Sequence, residues 1–214
     1  MDSYLTEQQQ IELLKKWWKE YGLAAVTGVV LAIALGFGWR FYQQYETVRS
    51  EAASLMYEHM VGDFFNNTTK DATQQANTLI KQYPKTPYAE LASFALAAQA
   101  VQGQKWDEAT QHLQWVIHYG KHRVFQDLAK IRLARVYLQQ QKTKEALSEL
   151  SSVKGKTFSA LVFDVRGDVE LQTGHQAQAR TFYQKALDAL PEDAANRPIL
   201  EMKLNSLPSD ASAS

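Results

Sequence analysis

Side chains suited to chemistry are sparse in this chain. Its histidines are His59, His112, His118, His122 and His175. His118 and His122 are four residues apart, a spacing that would put two imidazoles on one helix face, where they could hold zinc. Gly120 lies between them and breaks that helix, so the pair is expected at a helix end and loop, without metal. Glu192 and Asp193 could pair for general acid–base work. They follow Pro191 in a polar turn and are expected to be solvated. There is no cysteine, which excludes disulfides, thiol nucleophiles and cysteine-bound zinc. The chain has no glycine-rich phosphate loop, no nucleophile elbow and no His-Glu-x-x-His. The expectation is no catalytic residue, no metal and no cofactor, so not an enzyme. Lys plus Arg equals Asp plus Glu at 23 each, and the basic residues are scattered, so nucleic acid is not an expected partner.

What remains is the chemistry of binding, and three elements must position it. The first is an uncharged run from Tyr21 to Trp39, YGLAAVTGVVLAIALGFGW. About 20 such residues at ~1.5 Å each match a hydrocarbon core of ~30 Å. Leu23, Val26, Val29, Val30, Leu31, Ile33, Leu35 and Phe37 together favour insertion by roughly 3 kcal/mol. Trp17, Trp18 and Tyr21 at one end, with Trp39, Phe41, Tyr42 and Tyr45 at the other, form two interfacial belts. The run ends in bulky Gly38-Trp39-Arg40-Phe41-Tyr42 rather than in small residues, so it predicts an uncleaved anchor over 22–42. Lys15, Lys16 and Lys19 outnumber Arg40 and Arg49 across it, which places the N-terminus in the cytoplasm. Ala24, Gly28, Ala32 and Gly36 recur every fourth residue. They form either a helix-packing seam or the ordinary small-residue content of a span. Residues 1–21 are a cytoplasmic amphipathic segment, with Thr6 and Gln9 able to form a capping box. That segment either lies on the membrane surface or continues the anchor helix.

The second element is a repeat over 43–207. Apolar spacing is helical, turn signals arrive every 12 to 20 residues, and no alternating run marks a strand. Ala72, Ala109, Ala146 and Ala179 each sit early in a second helix, spaced 37, 37 and 33 residues apart. Twelve residues before each lies Met60, Ala97, Ala134 or Gly167, where small side chains allow two antiparallel helices to cross closely. Leu113, Leu150 and Tyr183 follow the last three alanines by four residues. Pro84 and Pro191 close the first and last units. The pattern predicts an all-α chain: an N-terminal transmembrane helix followed by a tetratricopeptide-like solenoid. Leu200, Lys203 and Leu207 are expected to cap its last unit. The third element, 208–214, is an expected disordered tail.

In such a solenoid the first helices line the concave side. Fixed offsets from each crossing residue put Tyr57, Phe64, Phe65, Phe94, Val101, Gln102, Ile131, Arg135, Leu138, Gln139, Asp168 and Gln172 there. Of these, Tyr57, Phe64, Phe94, Gln102, Arg135, Leu138, Gln139 and Asp168 are the candidate polypeptide-binding groove. The alternative, and the more ordinary fate of any single aromatic, is to fill a gap between adjacent units.

Several segments carry a family resemblance. They are Lys-Lys-Trp-Trp (15–18), Gly-Trp-Arg-Phe-Tyr (38–42), Tyr-Ala-Glu-Leu-Ala-Ser (88–93), Leu-Ala-Arg-Val (133–136), Asp-Val-Arg-Gly-Asp (164–168) and Met-Lys-Leu-Asn-Ser-Leu (202–207). Taken in order, they make the chain resemble the YfgM family of ancillary SecYEG translocon subunits. The resemblance implies a single-pass inner-membrane protein with a cytoplasmic N-terminus and a periplasmic repeat domain. It also implies association with the SecYEG translocon and a PpiD-like periplasmic chaperone, transfer of unfolded secreted polypeptides to chaperones, and influence on an envelope stress response. The alternative expectation is a membrane-anchored scaffold or regulator that holds one specific partner.

Overall fold

The computed structural model describes residues 7–208. The Thr6–Gln9 capping box and the tail beyond Pro208 lie outside the described residues. Every regular element described is helical. The α-helices are α1 (Glu7–Phe65), α2 (Thr69–Gln82), α3 (Pro87–Gln102), α4 (Trp106–Tyr119), α5 (Arg123–Gln139), α6 (Thr143–Ser151), α7 (Ser159–Gln172), α8 (Gln176–Asp188) and α9 (Arg197–Asn205), with a 3₁₀ turn at Lys156–Phe158 before α7. The expected anchor (22–42) and the start of the expected repeat (43 onward) lie on one helix, since α1 runs without a break from Glu7 to Phe65. Neither Gly nor Pro interrupts residues 39–61, so nothing there stops a helix. The chain forms two compact units, residues 1–51 and 52–214.

In the first unit the apolar side chains face outward. Leu23 is 82% exposed and Leu35 73%. The helix has a window of mean hydropathy 2.0 and is long and apolar enough to cross a membrane.

The second unit repeats at the level of single backbone bonds. Five residues before each alanine of the series stands a left-handed residue: Asn67 (φ 59°), Gln104 (φ 55°), Gln141 (φ 60°) and Gly174 (φ 85°). The next residue's N–H closes each helix end by donating to a carbonyl five residues back. These bonds are Thr68 to Asp63 (2.9 Å), Lys105 to Ala100 (2.8 Å), Lys142 to Tyr137 (2.9 Å) and His175 to Glu170 (2.8 Å). They satisfy carbonyls that a helix end leaves open and turn the chain back on itself.

The four alanines are fully buried, and the crossing positions are filled by complementary volumes. Met60 shares a core with Ala76, Ala97 with Leu113, and Ala134 with Leu150. At Gly167 the Tyr183 ring occupies the space a Cβ would need. The largest crossing residue thus meets the smallest partner and the smallest meets the largest, which keeps packing dense along the stack.

Two buried carboxylates hold successive units together. Glu90 and Asp127 each stand seven residues before a crossing alanine. Glu90 Oε1 accepts the Lys121 N–H (2.8 Å) and lies 2.9 Å from His122 Nδ1. Asp127 Oδ2 accepts the Gly155 N–H (3.0 Å). In both cases the carboxylate binds the backbone of the linker that leads to the next unit. The last unit is closed by α9, whose Leu200, together with Leu207, packs with Tyr183, Ala186 and Leu187.

Candidate functional site

Helices α3, α5 and α7 are the first helices of successive pairs, and each packs against the next. Their shared side carries two adjoining clefts. The first encloses about 500 Å³ between α3, α4 and α5, and is lined by Phe94, Ala98, Val101, Gln102, Trp106, Arg132, Arg135 and Gln139 over a floor of Ala97, Leu113 and Val136. The second encloses about 600 Å³ between α5 and α7, lined by Arg135, Leu138, Gln139, Gln141, Asp168, Leu171 and Gln172. Arg135 and Gln139 belong to both.

Of the eight groove candidates, six line these clefts. Phe94, Gln102, Arg135 and Gln139 meet in the first; Leu138 and Asp168 join Arg135 and Gln139 in the second. Tyr57 and Phe64 line neither. Both pack on the core of the first helix pair, and the Tyr57 ring stands 5.7 Å from that of Tyr88. Of the further offset positions, Val101 and Gln172 line the clefts, Ile131 is buried, and Phe65 is 84% exposed.

The clefts differ electrically. Around the second, charges are already matched. Arg135 Nη2 donates to Asp164 Oδ2 (2.9 Å), and Lys203 Nζ from α9 reaches Asp164 Oδ1 (2.7 Å) and Asp168 Oδ1 (2.6 Å). The Tyr183 hydroxyl also donates to Asp168 Oδ1 (2.8 Å). Burial, then the Asp168 carboxylate beside it, pushes the Tyr183 phenol well above its ordinary range, so it remains a donor. In the first cleft Arg132 lies over the Phe94 ring, its guanidinium carbon 4.6 Å from the centroid. Phe94 also meets Phe125 edge-on at 6.1 Å. Burial, then the like charge of Arg135, pushes the Arg132 pKa down.

Arg132, Trp106 and Leu113 were not among the offset positions. Arg132 stands two residues before its crossing alanine and Trp106 opens a second helix, so periodicity of the first helices alone misses both.

Among the described residues no cluster of three or more His, Asp or Glu could hold a metal ion. His118 and His122 flank the end of α4, and His122 is engaged with Glu90. Glu192 and Asp193 are exposed. In the first unit Ala24, Gly28, Ala32 and Gly36 are exposed, and among the described residues nothing lies within 4 Å of a Cβ placed on Gly28 or Gly36.

Stacked antiparallel helix pairs with clefts along the first helices define a tetratricopeptide-like repeat protein. The family model for the tetratricopeptide repeat-like domain matches residues 15–209. The chain is 32% identical over 209 residues to the ancillary SecYEG translocon subunit of Neisseria gonorrhoeae, covering 97% of this chain and 100% of that one. It is 28% identical over 207 residues to the protein of that name from Haemophilus influenzae, covering 95% and 98%. The Escherichia coli counterpart is also 28% identical over 207 residues, covering 97% and 99%. The chain belongs to the family of ancillary SecYEG translocon subunits.

Proposed function

We propose that this chain is a non-enzymatic accessory factor of the Sec translocon that receives translocated polypeptide on its repeat unit and passes it to a PpiD-like periplasmic chaperone. Residues 22–42 anchor it once in the inner membrane, with 1–21 cytoplasmic and 43–207 periplasmic. The observation that carries the reading is the pair of adjoining clefts on α3, α5 and α7. They sit side by side along successive repeats, as an extended chain requires, and offer both apolar surface and amides. The family relationship supports the translocon as the site of action, since the relatives carry that name. Tethering near an exit pore raises local concentration, so a groove of low affinity suffices. The exposed Ala24, Gly28, Ala32 and Gly36 face is the proposed seam for a translocon or chaperone transmembrane helix.

Photo-crosslinking residues at Gln102, Gln139 and, separately, Gly28 in intact cells test the reading. Secreted chains or a periplasmic chaperone captured at Gln102 and Gln139, with a translocon component at Gly28, are expected. Capture of one unrelated folded envelope protein at all three positions would favour the single-partner scaffold instead.

A further inference from the structure

Resting on the reading of the clefts as a polypeptide site, we propose that the cleft between α3 and α5 selects an acidic side chain next to an apolar one on an extended segment passing through it. Two guanidinium groups and no carboxylate line this cleft. Arg135 is already matched by Asp164. Arg132 makes the ring contact with Phe94 and, among the described residues, no hydrogen bond or ion pair. The ring contact positions the guanidinium while its N–H donors face solvent rather than a protein acceptor, and a carboxylate fits that planar fork with two parallel bonds.

The rest of the cleft argues for a peptide rather than a free anion. Its floor is apolar, which calls for a side chain beside the carboxylate. The amides of Gln102 and Gln139 stand on α3 and α5, where a passing backbone could exchange hydrogen bonds with them. Because Arg135 and Gln139 also line the second cleft, a chain seated in the first can continue past α7. A chain that continues is contacted through an internal Asp or Glu rather than through its C-terminal carboxylate.

The test uses the full chain in lipid nanodiscs and fluorescence anisotropy with labelled nonapeptides, acetylated and amidated, of Ser-Gly background. Central pairs are Asp-Phe, Asn-Phe, Lys-Phe and Asp-Ser; a neutral peptide with a free C-terminal carboxylate completes the set. Asp-Phe should bind about tenfold or more tighter than Asn-Phe, and the advantage should shrink with added salt. Arg132→Met should abolish that advantage, Arg132→Lys should keep part of it, and Ala98→Trp, which fills the cleft from an exposed position, should weaken every peptide. Equal binding of Asp-Phe, Asn-Phe and Lys-Phe that Ala98→Trp still blocks would overturn the acidic preference and leave the polypeptide site standing. Tightest binding by the free C-terminal carboxylate would overturn it in favour of chain-end recognition. If no peptide binds the parent chain and Ala98→Trp changes nothing, the cleft is not a polypeptide site and both readings fall.

Discussion

The two units use the same residue types in opposite ways. In residues 7–51, Leu, Val, Ile and Phe stand on every side of one helix and face outward, with Leu23 82% exposed. In residues 52–208, Leu113, Leu133 and Leu150 are at most 2% exposed and sit at fixed places in a repeat. The first arrangement needs only composition, because a hydrocarbon solvent accepts an apolar side chain at any azimuth. The second needs register, because each side chain must meet a partner of matching volume. Substitutions should therefore act on one unit's property and spare the other's.

Leu113→Ala offers the largest separation. It empties a position in the central core and should lower the stability of the repeat unit by about 2–5 kcal/mol. Chemical denaturation of the full chain in detergent would read this, while extraction of the protein from membranes should not change. The converse is Leu31→Arg, at the middle of the span. A charge there costs about 3 kcal/mol of insertion on the translocon scale. Membrane integration, followed by alkaline extraction, should fall while the repeat unit's unfolding midpoint stays put. Loss of repeat stability with Leu31→Arg would break the distinction.

Gly167→Ala sharpens it within the repeat. The new methyl group would meet the Tyr183 ring, which is buried and tied to Asp168, so it has little room to move. Overpacking of this kind costs about 1–3 kcal/mol. The double change Gly167→Ala with Tyr183→Leu should recover part of it, because the second and third units carry that Ala and Leu combination at Ala97 with Leu113 and Ala134 with Leu150.

The smallest effect is one of pH. Burial, against a weaker upward pull from Glu108, lowers the His112 pKa below its ordinary value. The unfolded chain then binds a proton that the folded chain resists. Stability contributed by His112 is full above about pH 6.5 and declines as pH falls through that value toward the folded pKa. His112→Gln should flatten this part of the stability profile, measured by thermal melts between pH 7.5 and 5.

Much of the architecture was legible from the chain alone. The uncharged run Tyr21 to Trp39 marked a span-length apolar helix because composition and length suffice for that inference. The series Ala72, Ala109, Ala146 and Ala179 marked the repeat because helix crossings demand small residues at a fixed period. Both signals are local or periodic, so no knowledge of neighbours was needed. The aromatics were less legible. Tyr57, Phe64 and Phe94 share an offset pattern and all pack on a core, yet only Phe94, itself 5% exposed, also borders a cleft, since each fate depends on which helix lies opposite. The left-handed turn residues were not among the sequence expectations, although Asn67 and Gly174 are types that tolerate that conformation. At Gln104 and Gln141 the turn imposes a conformation that glutamine does not prefer.

What the sequence determined, then, was the class of each segment: an apolar span-length helix, stacked helix pairs, and the positions where the helices cross. Only tertiary structure decided which charges are matched and which are left open. Asp164 and Asp168 meet Lys203 from 35 or more residues away, whereas Arg132 meets an aromatic face and, among the described residues, no carboxylate. Periodicity within a helix specifies which side a residue faces. The charge that faces it comes from another helix, brought there by the stacking of whole units, and no local pattern encodes that meeting.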